Sequence, residues 1–97
     1  MTDININKAI SDYIGASEDY INDLNSIYSA NKKIGLHDRD NLELRVKWVG
    51  HLRTVVSRRC PLNKLGTPVV SDLDILEASS RELAEAFLMT VGKWKKK

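Results

Sequence analysis

The segment from Ala78 to Trp94 constrains the fold of this chain most, because it has the clearest helical pattern of apolar residues. Seven residues at helical spacing define its inner face: Leu76, Ser80, Leu83, Ala84, Phe87, Leu88 and Val91. The opposite face carries Arg81, Glu82, Glu85 and Lys93. Ser79 or Ser80 is expected to cap the start of the helix, and Gly92 to follow its end. We therefore predict a core helix that the other elements pack against.

Two further helices are predicted in the N-terminal third. The first runs from about Asn5 to Ile14, with Asp3 or Asn5 as the cap and Gly15 at the end. Its apolar face is Ile6, Ala9, Ile10, Tyr13 and Ile14. The second helix is capped by Ser17 and ended by Gly35. Its inner face is Tyr20, Ile21, Leu24, Ile27, Tyr28 and Ile34.

The segment 40–59 fits two patterns. Strict alternation, typical of a strand, occurs at Leu42, Leu44, Val46 and Trp48. Helical spacing occurs at Leu42, Val46, Val49, Leu52 and Val56. The length of the segment favours a helix, although its apolar arc is then very broad and takes in Arg45 and Arg53, whose long stems can snorkel to its edge. A hairpin turning near Gly50 is the alternative.

Together these patterns predict a mainly α fold. We expect one domain over residues 1–97, a compact bundle of three to four helices with a basic C-terminal tail at 93–97. Pro61, Gly66 and Pro68 indicate a loop. Val69 and Val70, or the segment 73–76, could add a short extended piece to a small two-stranded unit. The alternative fold is α+β, with a small antiparallel sheet formed by 42–58.

The composition is that of a globular protein, with 42% apolar and 29% charged residues. No apolar run approaches the ~20 residues that a membrane span needs, so we expect no membrane association. The N-terminal residues do not resemble a secretion signal, and the single cysteine, Cys60, excludes an intrachain disulfide. These features favour the cytoplasm.

Positive charge is concentrated in the second part of the chain. Residues 1–40 hold seven acidic and four basic residues, a net charge of −3, and residues 41–97 hold eleven basic and six acidic residues, a net charge of +5. Arginine, lysine and tryptophan are the residue types that hold phosphates and stack on bases. The candidate partner- or anion-binding residues are therefore Arg45, Lys47, Trp48, Arg53, Arg58 and Arg59.

A second polar group is Asn22, Asp23 and Asn25, which the pattern places in the middle of the second helix. Asparagine and aspartate are poor helix formers, so their presence there indicates a local use. That use is either a hydrogen bond that ties a neighbouring loop over the core or recognition of a partner or small ligand.

Catalytic and metal chemistry are disfavoured. His37, Asp38 and Asp40 are too few for a convincing metal site, and the two aspartates are also good helix caps. The positive charge of Arg58 and Arg59 could lower the pKa of Cys60, but no positioned base is evident. His51 likewise has no evident catalytic partner. We expect no enzyme activity, no metal and no cofactor.

Two segments resemble small proteins of tailed bacteriophages and prophages, similar to the phage α-β-α sandwich domain group. The segment 19–34 reads DYINDLNSIYSANKKI and matches that group at Tyr20, Asn22, Asp23, Leu24, Asn25, Ala30 and Lys32. The segment 78–94 reads ASSRELAEAFLMTVGKW and matches it at Ala78, Ala84, Glu85, Ala86, Phe87, Leu88, Thr90, Gly92, Lys93 and Trp94. The aromatic strand region typical of the group between the first two helices is absent, because Gly15 is followed almost directly by Ser17.

The resemblance implies a phage genome and the cytoplasm of a bacterial host, and it implies no mechanism. Together with the lack of catalytic motifs, it leads to the hypothesis of a non-enzymatic phage accessory protein that acts by binding. Its most concrete form is a small inhibitor of a host defence complex or host enzyme, as a monomer or a homodimer. The alternative is a nucleic-acid or nucleotide-binding protein that uses the basic second half.

Overall fold

The computed structural model describes residues 2–36 and 38–94. Within these ranges the chain forms five helices: α1 (Asp3–Ile14), α2 (Leu24–Lys33), α3 (Leu42–Ser57), α4 (Asp72–Leu76) and α5 (Ser80–Thr90). The mainly α bundle predicted from the sequence is confirmed. The predicted core helix is also confirmed in its position, because α1, α2 and α3 each pack against α5.

The central position of α5 widens its buried face. Every residue from Leu83 to Leu88 is buried, and Phe87 also makes an edge-to-face contact with Tyr13 of α1, with 5.9 Å between ring centroids. Glu85 was predicted on the polar face of this helix, and that prediction is wrong, because three neighbouring helices leave no solvent-facing side there. Leu76 was predicted on the apolar face, which is also wrong: it belongs to α4 and is exposed.

The ends of α5 follow the predicted capping chemistry. Ser79 Oγ accepts a hydrogen bond from the Glu82 backbone N–H at 3.1 Å, and the Ser79 N–H donates to Glu82 Oε1 at 2.9 Å. This capping box satisfies two backbone groups at once. Gly92 follows the helix with a φ of +75°, a conformation that glycine adopts without a steric penalty.

The start of α1 differs slightly from the prediction. The helix begins at Asp3 because Thr2 is the cap, and its Oγ1 accepts a hydrogen bond from the Asn5 N–H at 3.3 Å. Asp3 and Asn5 were the predicted caps, and neither has that role. The predicted end is confirmed: Gly15 follows α1 with a φ of +84°.

The predicted start of the second helix at Ser17 is wrong. The helix begins at Leu24, because Asp23 caps it by accepting a hydrogen bond from the Asn25 N–H at 2.9 Å. Asparagine and aspartate compete with the helix for backbone hydrogen bonds, so a helix starts after such a cluster more readily than it runs through it. Glu18 and Asp19 therefore lie in a connection and not in a first helical turn.

Tyr20 anchors the connection between α1 and α2. Its side chain is fully buried, and its hydroxyl donates to the Ala16 carbonyl at 2.6 Å. Its backbone N–H donates to Asn7 Oδ1 on α1 at 2.9 Å. Tyr20 was predicted on the inner face of the second helix, and in the structure it instead attaches a non-helical segment to the core.

The helix predicted over the ambiguous segment is confirmed, and the hairpin alternative is wrong. α3 continues without interruption from Leu42 to Ser57 and buries Leu52, Val55 and Val56. In the described residues, β structure is limited to an isolated bridge between Leu62 and Pro68. The extended piece predicted for 73–76 is instead part of α4, which begins with a capping box between Ser71 and Asp74.

Candidate binding surface

An apolar face of α3 is exposed to solvent. Leu42 is 66% exposed, Val46 is 63% exposed and Val49 is 37% exposed. Their spacing of four and three residues places them in one row along the helix, which we call the α3 apolar stripe. A well-formed helix whose apolar residues do not reach the core is the usual mark of an interaction surface.

The sequence pattern placed these residues on one apolar arc. Leu42, Val46, Val49, Leu52 and Val56 were predicted to have helical spacing, and the structure separates them into an exposed row and a buried row. At about 100° per residue, the row of Leu42, Val46 and Val49 lies roughly a quarter turn from the centre of the buried residues. The signal that could have revealed two faces was the excessive breadth of the apolar arc, which extended to Arg45 and Arg53.

Two of the predicted binding residues on α3, Arg45 and Arg53, lie beside the α3 apolar stripe, and Lys47 lies more than a quarter turn from its centre. Arg45 is exposed and forms no ion pair with the described residues. Lys47 is 3.8 Å from Glu43 within the same helix, and Arg53 is 3.7 Å from Asp72 of α4. Both pairs join side chains that are about half or more exposed, so each contributes little stability and exchanges readily with another partner.

Two other predicted binding residues are held by carboxylates of the bundle. Arg58 donates from Nη1 to Glu85 Oε2 at 2.8 Å. Arg59 donates from Nε to Glu82 Oε2 at 2.8 Å and from Nη2 to the Asp74 carbonyl at 3.1 Å. These bonds join the end of α3 to α5 and α4. The positive charge of Arg58 and Arg59 is therefore largely neutralised within the fold.

The ion pairs continue across α5. Arg81 donates to the second carboxylate oxygen of Glu85 and also, from Nε, to Asp3 Oδ1 of α1 at 2.8 Å. The buried Glu85 carboxylate thus has an arginine on each oxygen. The hydrogen bonds from both arginines offset the desolvation cost of burying this charge. The cluster links α1, α3 and α5.

The second predicted group, Asn22, Asp23 and Asn25, has a structural role at the start of α2. Asp23 is the helix cap, and Asn22 Nδ2 donates to Asp19 Oδ2 at 3.2 Å. Asn7 also donates to Asp19, which lowers the pKa of that carboxyl, with the bonds from Asn22 and Asn7 as the main causes. Because α2 does not pack against α3 in the described chain, this group and the basic residues do not form one site.

Cys60 does not have the lowered pKa of a reactive thiol. Burial raises its pKa, and the negative charge of Asp74 raises it further, whereas Arg59 opposes the shift only weakly. The thiol also donates a hydrogen bond to the Val56 carbonyl at 3.3 Å. The expectation that the neighbouring arginines lower its pKa is wrong, because Arg59 is paired with Glu82 and Asp74.

Trp48, a predicted binding residue, and Trp94, the other tryptophan of the chain, are both partly buried. Trp48 and Trp94 pack against the hydrophobic core. The Trp48 Nε1 is buried without a hydrogen-bond partner among the described residues. Lys93 is exposed, and the remainder of the predicted basic tail, 95–97, lies outside the described residues.

The histidines do not define a metal site in the described part of the chain. His37 lies outside the described residues, and His51 is partly exposed on α3. Among residues 2–36 and 38–94, no group of three histidine, cysteine or acidic side chains is arranged to hold a metal ion. An open cavity of about 910 Å³ lies beside α1 and the following connection, and the residues that line it include Asn7, Lys8, Asp12, Glu18 and Asp19.

One loop also displays apolar residues. Asn63 Oδ1 accepts hydrogen bonds from the backbone N–H groups of Leu65 and Thr67 at 2.9 and 3.0 Å. The loop is therefore ordered, and it holds Leu65 almost fully exposed.

Comparison with known proteins returned no match: no protein-family model, curated protein or solved structure is similar to this chain. None of the helices in the described ranges is both long and apolar enough to cross a bilayer.

Proposed function

We propose that this protein acts without catalysis, by occupying a surface of another protein through the α3 apolar stripe. The observation that carries this proposal is the exposure of Leu42 and Val46 on a regular helix that is otherwise anchored in the core. Full burial of a leucine or valine side chain contributes roughly 1.5–3 kcal/mol, and about two-thirds of each of these two side chains is still exposed and can be buried in a complex. No contact within the described residues covers that exposed part.

The biological setting of this proposal comes from the resemblance alone. In a phage accessory protein, a compact bundle with an exposed apolar helix suits an inhibitor that covers part of a host defence complex or a host enzyme in the bacterial cytoplasm. The nucleic-acid alternative has less support, because Arg58 and Arg59 are engaged by Glu85, Glu82 and Asp74.

Site-specific photo-crosslinking tests the proposal. A photoreactive residue replaces Val46 in one variant and, in a control variant, Ser29, which is exposed on α2, a helix that does not pack against α3. In bacterial lysate we expect one protein to crosslink to the Val46 position after nuclease treatment and at moderate salt, and not to the Ser29 position. Crosslinking that nuclease abolishes would contradict the proposal and indicate nucleic-acid binding beside Arg45.

A charge substitution supplies the matched functional control. Val46→Glu should abolish the crosslinked or copurified complex, because a buried unpaired carboxylate is strongly unfavourable in an interface. Ile4→Glu makes the same kind of change at an exposed apolar residue of α1 and should leave the complex intact. Equal loss in both variants would show that the stripe is not the contact.

A further inference from the structure

Gly50 adjoins the α3 apolar stripe, and nothing in the described residues explains why a glycine stands there. It lies in the interior of α3, four residues after Val46 and three before Arg53, and it does not have a positive φ. A Cβ atom placed on it would meet nothing within 4 Å. Glycine inside a helix costs about 1 kcal/mol relative to alanine. Neither backbone conformation nor packing in the described fold offsets that cost.

A small residue beside an exposed apolar row permits close approach of another backbone. Helices pack by fitting the side-chain ridges of one into the grooves of the other, at interaxial distances set by the residues at the crossing point. At Gly50 the missing side chain leaves a gap between Val46 and Arg53. A second helix crossing at this gap would contact Val46 and Val49 closely.

The charge around the stripe determines what kind of helix fits. Arg45 and Arg53 flank the stripe, whereas Lys47 lies away from it and pairs with Glu43, the one carboxylate of α3. Arg45 forms no ion pair with the described residues, and Arg53 reaches only Asp72, whose side chain is 96% exposed. An apolar row with basic neighbours is complementary to a helix that has apolar residues on one face and acidic residues beside them.

We propose that the α3 apolar stripe binds an acidic amphipathic helix of a partner protein, which crosses α3 over Gly50. This inference rests on the proposed function and adds the chemistry of the partner. A second copy of the chain fits less well, because a two-fold contact would bring the basic residues of one α3 towards those of the other. A nucleic-acid phosphate backbone would satisfy Arg45 and Arg53 but would leave Leu42 and Val46 without an apolar contact.

Selection from a displayed peptide library tests the partner chemistry with no need for the natural partner. The library consists of helical peptides with leucine fixed at one face and acidic, basic or neutral residues randomised beside it. Selection uses the full-length protein, with removal of peptides that also bind the Val46→Glu variant. We expect the recovered peptides to be enriched in glutamate and aspartate and to perturb the NMR amide signals of residues 42–53.

Variants of the protein then test the crossing point and the charges. Gly50→Leu should weaken binding of a recovered peptide about tenfold or more, since the added side chain fills the gap at the crossing. Arg45→Glu combined with Arg53→Glu should weaken it by a similar factor, with a reduced dependence on salt. Ile4→Glu is the control and should bind as the wild type does. Circular dichroism and thermal unfolding confirm that each variant is folded.

Several outcomes would overturn the partner assignment. These are recovery of neutral or basic peptides, recovery of no stripe-dependent peptide, full binding by Gly50→Leu, dimerisation of the free chain through Val46, or binding to anionic vesicles in preference to peptides. Each leaves the crosslinking result intact, so failure of this inference is distinguishable from failure of the proposed function. Absence of any crosslinked protein, with acidic peptides recovered, would contradict only the proposed function.

Discussion

Arg58, at the C-terminal end of α3, donates a hydrogen bond from Nη1 to Oε2 of Glu85 on α5 at 2.8 Å. The Glu85 side chain is almost fully buried, whereas that of Arg58 is about half exposed. The second oxygen of Glu85 accepts from Arg81. This arrangement fixes the end of α3 against the central helix and makes Glu85 a sensitive position for stability.

Substitution of Glu85 by glutamine should destabilise the protein. Glu85→Gln removes the charge that two arginines bind, and hydrogen bonds to charged groups contribute roughly 1.5–3 kcal/mol. We expect the free energy of unfolding to fall by about 2 kcal/mol in urea titrations. Glu43→Gln, at an exposed pair on α3, should change it by less than about 0.5 kcal/mol. Equal effects of the two substitutions would show that the Glu85 cluster is not a stabilising element.

Stability should fall in acid partly because of Glu82. Burial raises the pKa of this carboxyl, but the hydrogen bonds from Arg59 and Ser79 outweigh it, so its pKa in the folded state lies below the ordinary 4.5. A lowered pKa contributes stability that is fully present above pH 4.5 and is lost as pH falls through the folded-state value. Urea titrations below pH 5 should therefore show a smaller loss of stability in Glu82→Gln than in the wild type.

Asp74 should contribute to the same acid sensitivity. Hydrogen bonds from the Ser71 backbone and hydroxyl lower its pKa from the ordinary 3.8, so its contribution is fully present above pH 3.8 and is lost as pH falls through the folded-state value. Glu77→Gln, at an exposed position with no ion pair among the described residues, is the control and should follow the wild-type curve. Identical pH profiles for wild type and Glu82→Gln would contradict this account.

Two glycine substitutions should have opposite effects. Gly50→Ala should raise the free energy of unfolding by about 1 kcal/mol, because alanine is the better helix former and the space beyond Gly50 is open. Gly15→Ala should lower it by about 1 kcal/mol, because a φ of +84° is strained for a residue with a Cβ atom. Thermal unfolding of both variants measures this. Destabilisation by Gly50→Ala would show that the free protein needs glycine there.

Asn31 should tolerate an apolar replacement. Its side chain is 2% exposed, and its Oδ1 is buried without a hydrogen-bond partner among the described residues. An unsatisfied buried acceptor is unfavourable, so Asn31→Leu, which keeps the branched shape and replaces the amide atoms by methyl groups, should raise the free energy of unfolding by about 1 kcal/mol. Asn25→Leu, at an exposed position of α2, measures the helix-propensity part of the effect. A clear loss of stability in Asn31→Leu would indicate a bound water or another partner at Oδ1.

Cys60 should react slowly with alkylating reagents near neutral pH. Burial and the charge of Asp74 raise its pKa above the ordinary 9.0, and only the thiolate is nucleophilic. Its rate with iodoacetamide should be below that of glutathione at pH 7.5 and should still rise above pH 9.0. Asp74→Asn should increase the rate by removing a negative charge near the thiol. A rate above that of glutathione would contradict the raised pKa.

Local sequence signals predicted most of the helical bundle. The Ser79 cap, Gly15 and Gly92 as helix ends, and the apolar residues Ile6, Ile10 and Phe87 were identified correctly because caps and periodicity act within a few residues. The start of α2 was misassigned because two capping residues, Ser17 and Asp23, competed for one helix. The fully buried Tyr20 and its bonds to Asn7 and Ala16, which depend on packing, decided between them.

The candidate surface could not be predicted in the same way. Leu42, Val46 and Val49 have the spacing of a core face, and periodicity does not distinguish an apolar row that reaches the core from one that does not. Only the position of α3 against α5 shows that Leu52 and Val56 are covered and that Leu42 and Val46 are not. For the same reason the sequence does not show which predicted basic residues are neutralised. Arg58 and Arg59 form ion pairs with carboxylates of α5, and Arg45 does not.

The sequence by itself determined the position of α1 and α5 and most of α2, because apolar periodicity and capping residues act through neighbouring peptide units. It also determined that one C-terminal helix would be central, since no other segment has so complete an apolar face. The tertiary structure decided which charges are neutralised and which apolar residues remain exposed. Those properties depend on distances between residues far apart in the chain, such as Arg58 and Glu85, and no local pattern encodes them.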